Sequence, residues 1–219
     1  MSNAREILPP ETSNEDLVRK FLEEEMTDYT GNGCKGNLAD DCVQRSLREA
    51  AEILEGRTDS TLVGGLPAQL KTVDREGFET AWNLFSNRTT NDLDILSLNP
   101  REINALFRDE RYSEGNLQID TIDTGLFDDR NIGQKIVEES ETVNIQNPSI
   151  GEVRIPSDTH LLYTKLHDGY ARHSRGTRYD AWRMLDNSHF DVNESQLREL
   201  LEGTSKGMET YQSIADKYD

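Results

Sequence analysis

Asp92 and Asp94 stand on either side of Leu93 in the run Arg88-Thr-Thr-Asn-Asp92-Leu-Asp94-Ile-Leu96. Residues two apart on a strand face the same side. The spacing therefore predicts two carboxylates projecting together while Leu93 and Ile95 enter a core. Adjacent carboxylates repel, and neither can be buried unpaired at tolerable cost. A divalent cation resolves that conflict, and magnesium takes oxygen ligands from one or two carboxylates plus substrate phosphates. The plainer reading is a solvent-facing edge of an acidic protein.

Two further pieces flank the pair. Upstream, Leu62-Val63-Gly64-Gly65 reads as a strand ending in two glycines before a helix. Glycine lets a backbone approach a phosphate closely, and a helix N-terminus offers unpaired N–H groups to an anion. By itself such a doublet is more often a plain turn. Downstream, Ile119-Asp120-Thr-Ile122-Asp123 reads as the next strand. A third carboxylate there would share the metal or take the proton from an attacking hydroxyl. Alternation puts Asp120 and Asp123 on opposite faces, so at most one joins the pair. Asp120 is favoured because Ile119 and Ile122 flank it within the strand, whereas Asp123 lies nearer the turn.

In this order the three pieces resemble the nucleotidyltransferase superfamily, in its minimal and abortive-infection toxin-like branches. That pattern is a Gly-Gly or Gly-Ser turn, then Arg-x-Thr-x-Asp-x-Asp, then a third Asp. Arg88, Thr90, Asp92 and Asp94 match the central piece, and Gly64 and Gly65 match the first. The match spans roughly 61–122, under a third of the chain. A later stretch, with Lys165, Arg172 and Asp180, looks like the family's C-terminal helical element. On a helix, Lys165, Asp168, Arg172 and Arg175 would form one stripe, a local basic surface for a triphosphate or an acceptor. A solvated helix face with internal Asp–Arg pairs accounts for it equally well.

The resemblance implies an α+β fold, with a small mixed-sheet, polymerase-β-like nucleotidyltransferase core between N-terminal helices and a C-terminal helical part. It implies a magnesium-dependent enzyme moving an NMP from an NTP such as ATP to a hydroxyl. Asp92, Asp94 and Asp120 would be the catalytic and metal-binding residues, with Gly64, Gly65, Arg88, Thr90, Lys165 and Arg172 holding the nucleotide. By the toxin branch the acceptor would be RNA, such as a tRNA 3′ end, with an antitoxin protein as partner; a small hydroxylated molecule or a protein hydroxyl are further acceptors. The alternative is a catalytically silent relative that binds nucleotide or a partner protein. It draws on the long segment between Gly65 and Arg88, and on Pro67, which removes one N–H donor from the cradle.

The elements that must position these residues follow from periodicity. Ser13 or Asn14 caps a helix with Leu17, Phe21 and Met26 on one side, and a second helix covers about 38–54 with Val43, Leu47, Ala50, Ala51 and Leu54 inward. After the glycine doublet a helical stretch runs to about Phe85. Asn99-Pro100 opens another helix. Beyond the third strand come a polar connection, short strands at 143–145 and 153–155, and helices at about 158–173, 178–185, 194–201 and 205–217. The organisation expected is an N-terminal helical extension (1–58), a core (59–155) and a helical C-terminal region (156–219).

Composition bounds the rest. Only 34% of the 219 residues are hydrophobic, and the net charge is −18. Asp and Glu are dispersed among apolar residues at helical spacing, which argues against a disordered acidic tail. Dispersed carboxylate, with Arg outnumbering Lys, suggests a salt-rich cytoplasm in which screening tolerates self-repulsion. The same charge opposes an extended nucleic-acid surface. Cys34 and Cys42 lack zinc-like spacing and read as reduced thiols. No apolar run suits a membrane span, and no basic-then-apolar leader is present, so a cytoplasmic protein is expected. His160, His167, His173 and His189 form no metal triad and read as surface or partly buried. Trp82 and Trp182 read as core.

Overall fold

A computed structural model describes residues 34–85, 89–108, 112, 115–127, 130–167, 175–186 and 188–215. The helix expected near Leu17, Phe21 and Met26 lies outside the described residues, as do Arg88, Asp168, Arg172 and His173. The described chain is a mixture of helices and small sheets, an α+β arrangement.

Its centre is a three-stranded sheet. β1 (Ser60–Val63) pairs antiparallel with β2 (Asp92–Ser97), and β2 pairs parallel with β3 (Gln118–Asp123). Between β1 and β2 the chain forms α2 (Leu66–Glu76) and α3 (Phe78–Phe85). They are separated by Gly77, whose φ of 87° no ordinary residue adopts readily. The parallel step from β2 to β3 requires a crossover, supplied by α4 (Pro100–Arg108). Ahead of β1, α1 (Asp41–Ile53) buries Val43, Leu47, Ala50 and Ala51, which fall on one face by three- and four-residue steps.

Strand alternation divides the apolar residues between two clusters. Leu62, Leu93, Ile95 and Ile119 face one side of the sheet and join α1, α4 and the hairpin β4 (Glu141–Ile145) and β5 (Gly151–Ile155). Val63, Leu96 and Ile122 face the other side, against α6 (Asp158–Leu166), α7 (Arg175–Asp186), α8 (Glu194–Leu201) and α9 (Ser205–Ala215). Asp92 and Asp94 share the second face with Leu96. The helices thus cover one end of that face, and the acids occupy the other.

Four expectations need correction. The connection after β3 is not merely polar. It holds a 3₁₀ turn at Thr124–Leu126 and α5 (Arg130–Glu138), whose Ile136 and Val137 are fully buried. The helix begun at Asp158 ends at Leu166, because His167 is extended (φ −66°, ψ 131°). Lys165 and Arg175 therefore belong to two different helices. Trp82 is 42% exposed: on α3 the neighbours Ala81 and Phe85, four residues apart, take the inward face and turn it outward. Cys34 and Cys42 are joined in a disulfide, because the turn before α1 brings their Cα atoms to 5.9 Å.

Buried charge ties the helical layers together. Asp158, at the start of α6, receives Lys71 at 3.0 Å and both terminal nitrogens of Arg75 at 2.6 and 3.2 Å, and accepts from the Asp191 N–H. Burial alone would raise its carboxyl. Arg75, Lys71 and the Asp191 amide outweigh that and hold it below the ordinary 3.8. His160, within α6, and His167, just past its end, are fully buried rather than at the surface or partly buried. Burial pushes His160 below its ordinary 6.5, against the opposing pull of Glu139 at 3.8 Å.

Candidate metal centre

The parallel register sets Asp94 directly opposite Asp120, and the antiparallel register sets Val63 on the other flank of Asp94. One row across the sheet thus reads Val63, Asp94, Asp120. Asp92 lies two residues before Asp94 on the same face. Together, Asp92, Asp94 and Asp120 offer carboxylate oxygens that all lie within 4.8 Å of one another, each side chain half-buried. Three carboxylates this close repel strongly when ionised, and the arrangement is relieved by a cation among them. The donors are all oxygen, the set that hard divalent cations such as magnesium prefer, so the three acids can hold a metal ion.

Two of the three acids have a local hydrogen-bond donor that holds them in place. Thr90 is buried, and its hydroxyl donates to the Asp92 carboxylate at 2.9 Å and lies 3.0 Å from the Asp92 carbonyl. Thr90 is itself fixed by a two-way backbone bridge to Gly36, with N–H to carbonyl distances of 2.9 and 2.7 Å. Gln118, on the same face of β3, donates from Nε2 to Asp120 Oδ1 at 3.0 Å. Asp123 is employed elsewhere, accepting from the Gly125 N–H at 2.7 Å and capping the 3₁₀ turn.

The glycine doublet sits against the acids. Gly64 follows Val63 directly and has φ 79°, and a Cβ there would collide with the Asp94 carboxylate. Both conformation and space exclude a side chain at this point. Gly65 is helical and precedes α2 without a side-chain cap, leaving the first turn of the helix beside the carboxylate row. Pro67, in that turn, supplies no N–H.

Lys165 is buried rather than displayed. Its ammonium donates to the Gly64 carbonyl at 2.6 Å and to Asp180 Oδ2 at 2.9 Å, with both side chains enclosed. It therefore braces the glycine turn from α6 and joins α6 to α7.

The structure thus brings Gly64, Gly65, Thr90, Asp92, Asp94 and Asp120 together, with Lys165 behind the turn. Gln118 and Gly36 escaped the sequence reading. Gln118 was findable, since it lies two residues before Asp120 and so on the same strand face. Gly36 offered no signal, because its contact with Thr90 spans 54 residues. No family model matches the chain, and no curated protein matches it. No helix among the described residues is long and apolar enough to cross a membrane.

Proposed function

We propose that the chain is a magnesium-dependent nucleotidyltransferase of the minimal, abortive-infection toxin-like kind. It would transfer an NMP from an NTP to a hydroxyl, on a polymerase-β-like core. The observation that carries this reading is the contact of Gly64 with Asp94 inside a row that also holds Asp120. A lone acidic cluster is common on a protein this acidic. One crowded against a glycine turn that admits no side chain and opens a helix is a place where a phosphate chain and a cation can meet.

A bound magnesium ion would neutralise charge developing on the transferred phosphoryl group. The protein's own residues supply the positioning. Asp92 and Asp94 would hold the ion, with the Asp92 carboxylate oriented by the Thr90 hydroxyl. Asp120 completes the ligand set or receives the acceptor hydroxyl's proton as the oxygen attacks the α-phosphorus and pyrophosphate leaves. Backbone N–H groups at Gly64 and Gly65 would bind the phosphates. Lys165 fixes the Gly64 carbonyl and so the shape of the turn.

The hydroxyl belongs to an RNA end or a small molecule. The net charge of −18 favours a compact acceptor over an extended nucleic-acid track. An antitoxin protein would be the partner by the same resemblance. Incubating the full chain with magnesium, labelled NTPs, and RNA, protein and metabolite fractions tests the proposal. Label transfer abolished by Asp94→Asn supports it. Nucleotide binding with no transfer to any fraction selects the silent relative, for which Pro67 speaks. Transfer retained in full by Asp94→Asn overturns the enzyme reading.

A further inference from the structure

Asp92 is held at the end of a chain of contacts that begins at the disulfide. Cys34 is bonded to Cys42, the second residue of α1. Two residues beyond Cys34, Gly36 makes both of its backbone hydrogen bonds to Thr90. The Thr90 hydroxyl in turn donates to Asp92. The bridge is an isolated one, not part of a longer ladder, so the disulfide fastens its outer half to the helix. Cys34 is buried, whereas Cys42 is partly exposed.

We propose that this disulfide is a redox switch on the metal centre, a regulation that rests on the metal-site reading of Asp92, Asp94 and Asp120. A dithiol reductant attacks first at the accessible Cys42 Sγ. Its thiolate forms a mixed disulfide with Cys42, and Cys34 leaves as a thiolate that takes up a proton. The second thiol of the reductant then displaces Cys42, which is also protonated. Two electrons and two protons pass to the protein, and the reductant becomes the cyclic disulfide. Once released, the segment 34–36 no longer holds Thr90 by two bonds, and Asp92 loses its orienting hydroxyl. Partners that orient a ligand in this way typically govern about 10–100-fold in metal affinity. Oxidation thus switches the centre on, and reduction switches it off.

The test uses the full chain and manganese ion as probe, titrated by its paramagnetic signal. Three forms are compared: oxidised, reduced by excess dithiothreitol, and the Cys34→Ser/Cys42→Ser variant. Amide hydrogen exchange is followed in each. Affinity lower by about tenfold in both disulfide-free forms, with faster exchange confined to 34–42 and Thr90, supports the switch. Equal affinity in all three forms overturns it, while loss of binding in Asp92→Ala would leave the metal centre standing. Faster exchange spread through Leu93–Leu96 also overturns it, because the bond then supports the whole fold. Manganese binding no stronger in the oxidised chain than in Asp92→Ala removes the switch and the metal centre together.

Discussion

The ammonium of Lys165 reaches 101 residues back along the chain to the main-chain carbonyl of Gly64, at 2.6 Å, while holding Asp180 on its other side. Removing a cation so enclosed takes the ion-pair partner away from a buried carboxylate. Lys165→Met removes the ammonium that pairs with the buried Asp180 carboxylate, at a cost of about 3–5 kcal/mol. The double variant Lys165→Met/Asp180→Leu recovers most of that loss. Urea unfolding of the two proteins checks it, and a double variant no more stable than the single one would count against the pair.

The two glycines are not equivalent. Gly64→Ala demands φ 79° of an alanine and drives its methyl into Asp94, whereas Gly65 sits at φ −80° in the helical region. Manganese affinity should fall by about tenfold or more in Gly64→Ala. It should change little in Gly65→Ala. Equal losses would show that the doublet acts through the helix terminus rather than through space at Asp94.

Thr90→Val keeps shape and removes the hydroxyl from the Asp92 carboxylate. The expected result is metal affinity lower by about tenfold with far-ultraviolet circular dichroism unchanged. An unaltered affinity would mean that Asp92 needs no orienting bond.

Two buried groups make stability depend on pH in different windows. Asp158 titrates below its ordinary 3.8 in the folded chain, so its contribution is present above that value and is lost as acid carries the solution down through the folded pKa. Asp158→Asn should flatten the acid limb of the urea midpoint below about pH 4.

His160 is likewise depressed from its ordinary 6.5, but as a base buried neutral. Below about pH 6.5 the unfolded chain binds a proton that the folded chain refuses, and stability falls as pH drops. His160→Leu should remove that slope between about pH 7 and 5. A slope identical in the variant would place its origin elsewhere.

The sheet and its acids were legible because strand alternation is a local code. Leu93 and Ile95 inward leaves Asp92 and Asp94 together, and the glycine doublet marks where β1 stops. The helix boundary at Pro100 was equally local, resting on first-turn chemistry. What escaped depends on distant partners. Lys165 reads as a surface base until Asp180, fifteen residues on, is seen folded back upon it. The Cys34–Cys42 bond closes over a turn in which Asp40 accepts the Asn37 N–H at 2.7 Å. Trp82 looked like core by its chemistry, yet its helix had only one face to bury and gave it to Ala81 and Phe85.

The pairing of Asp94 with Asp120 also sets where the chain can change in length. The chain enters β3 anchored to α1, where Arg45 donates to the Gly115 carbonyl at 3.3 Å and to the Asn116 side chain at 2.8 Å. One extra residue between Gln118 and Asp120 would turn the acid through the sheet into the apolar layer around Ile119. Descendants of this sequence are therefore held to an even count of added residues between Gln118 and Asp120.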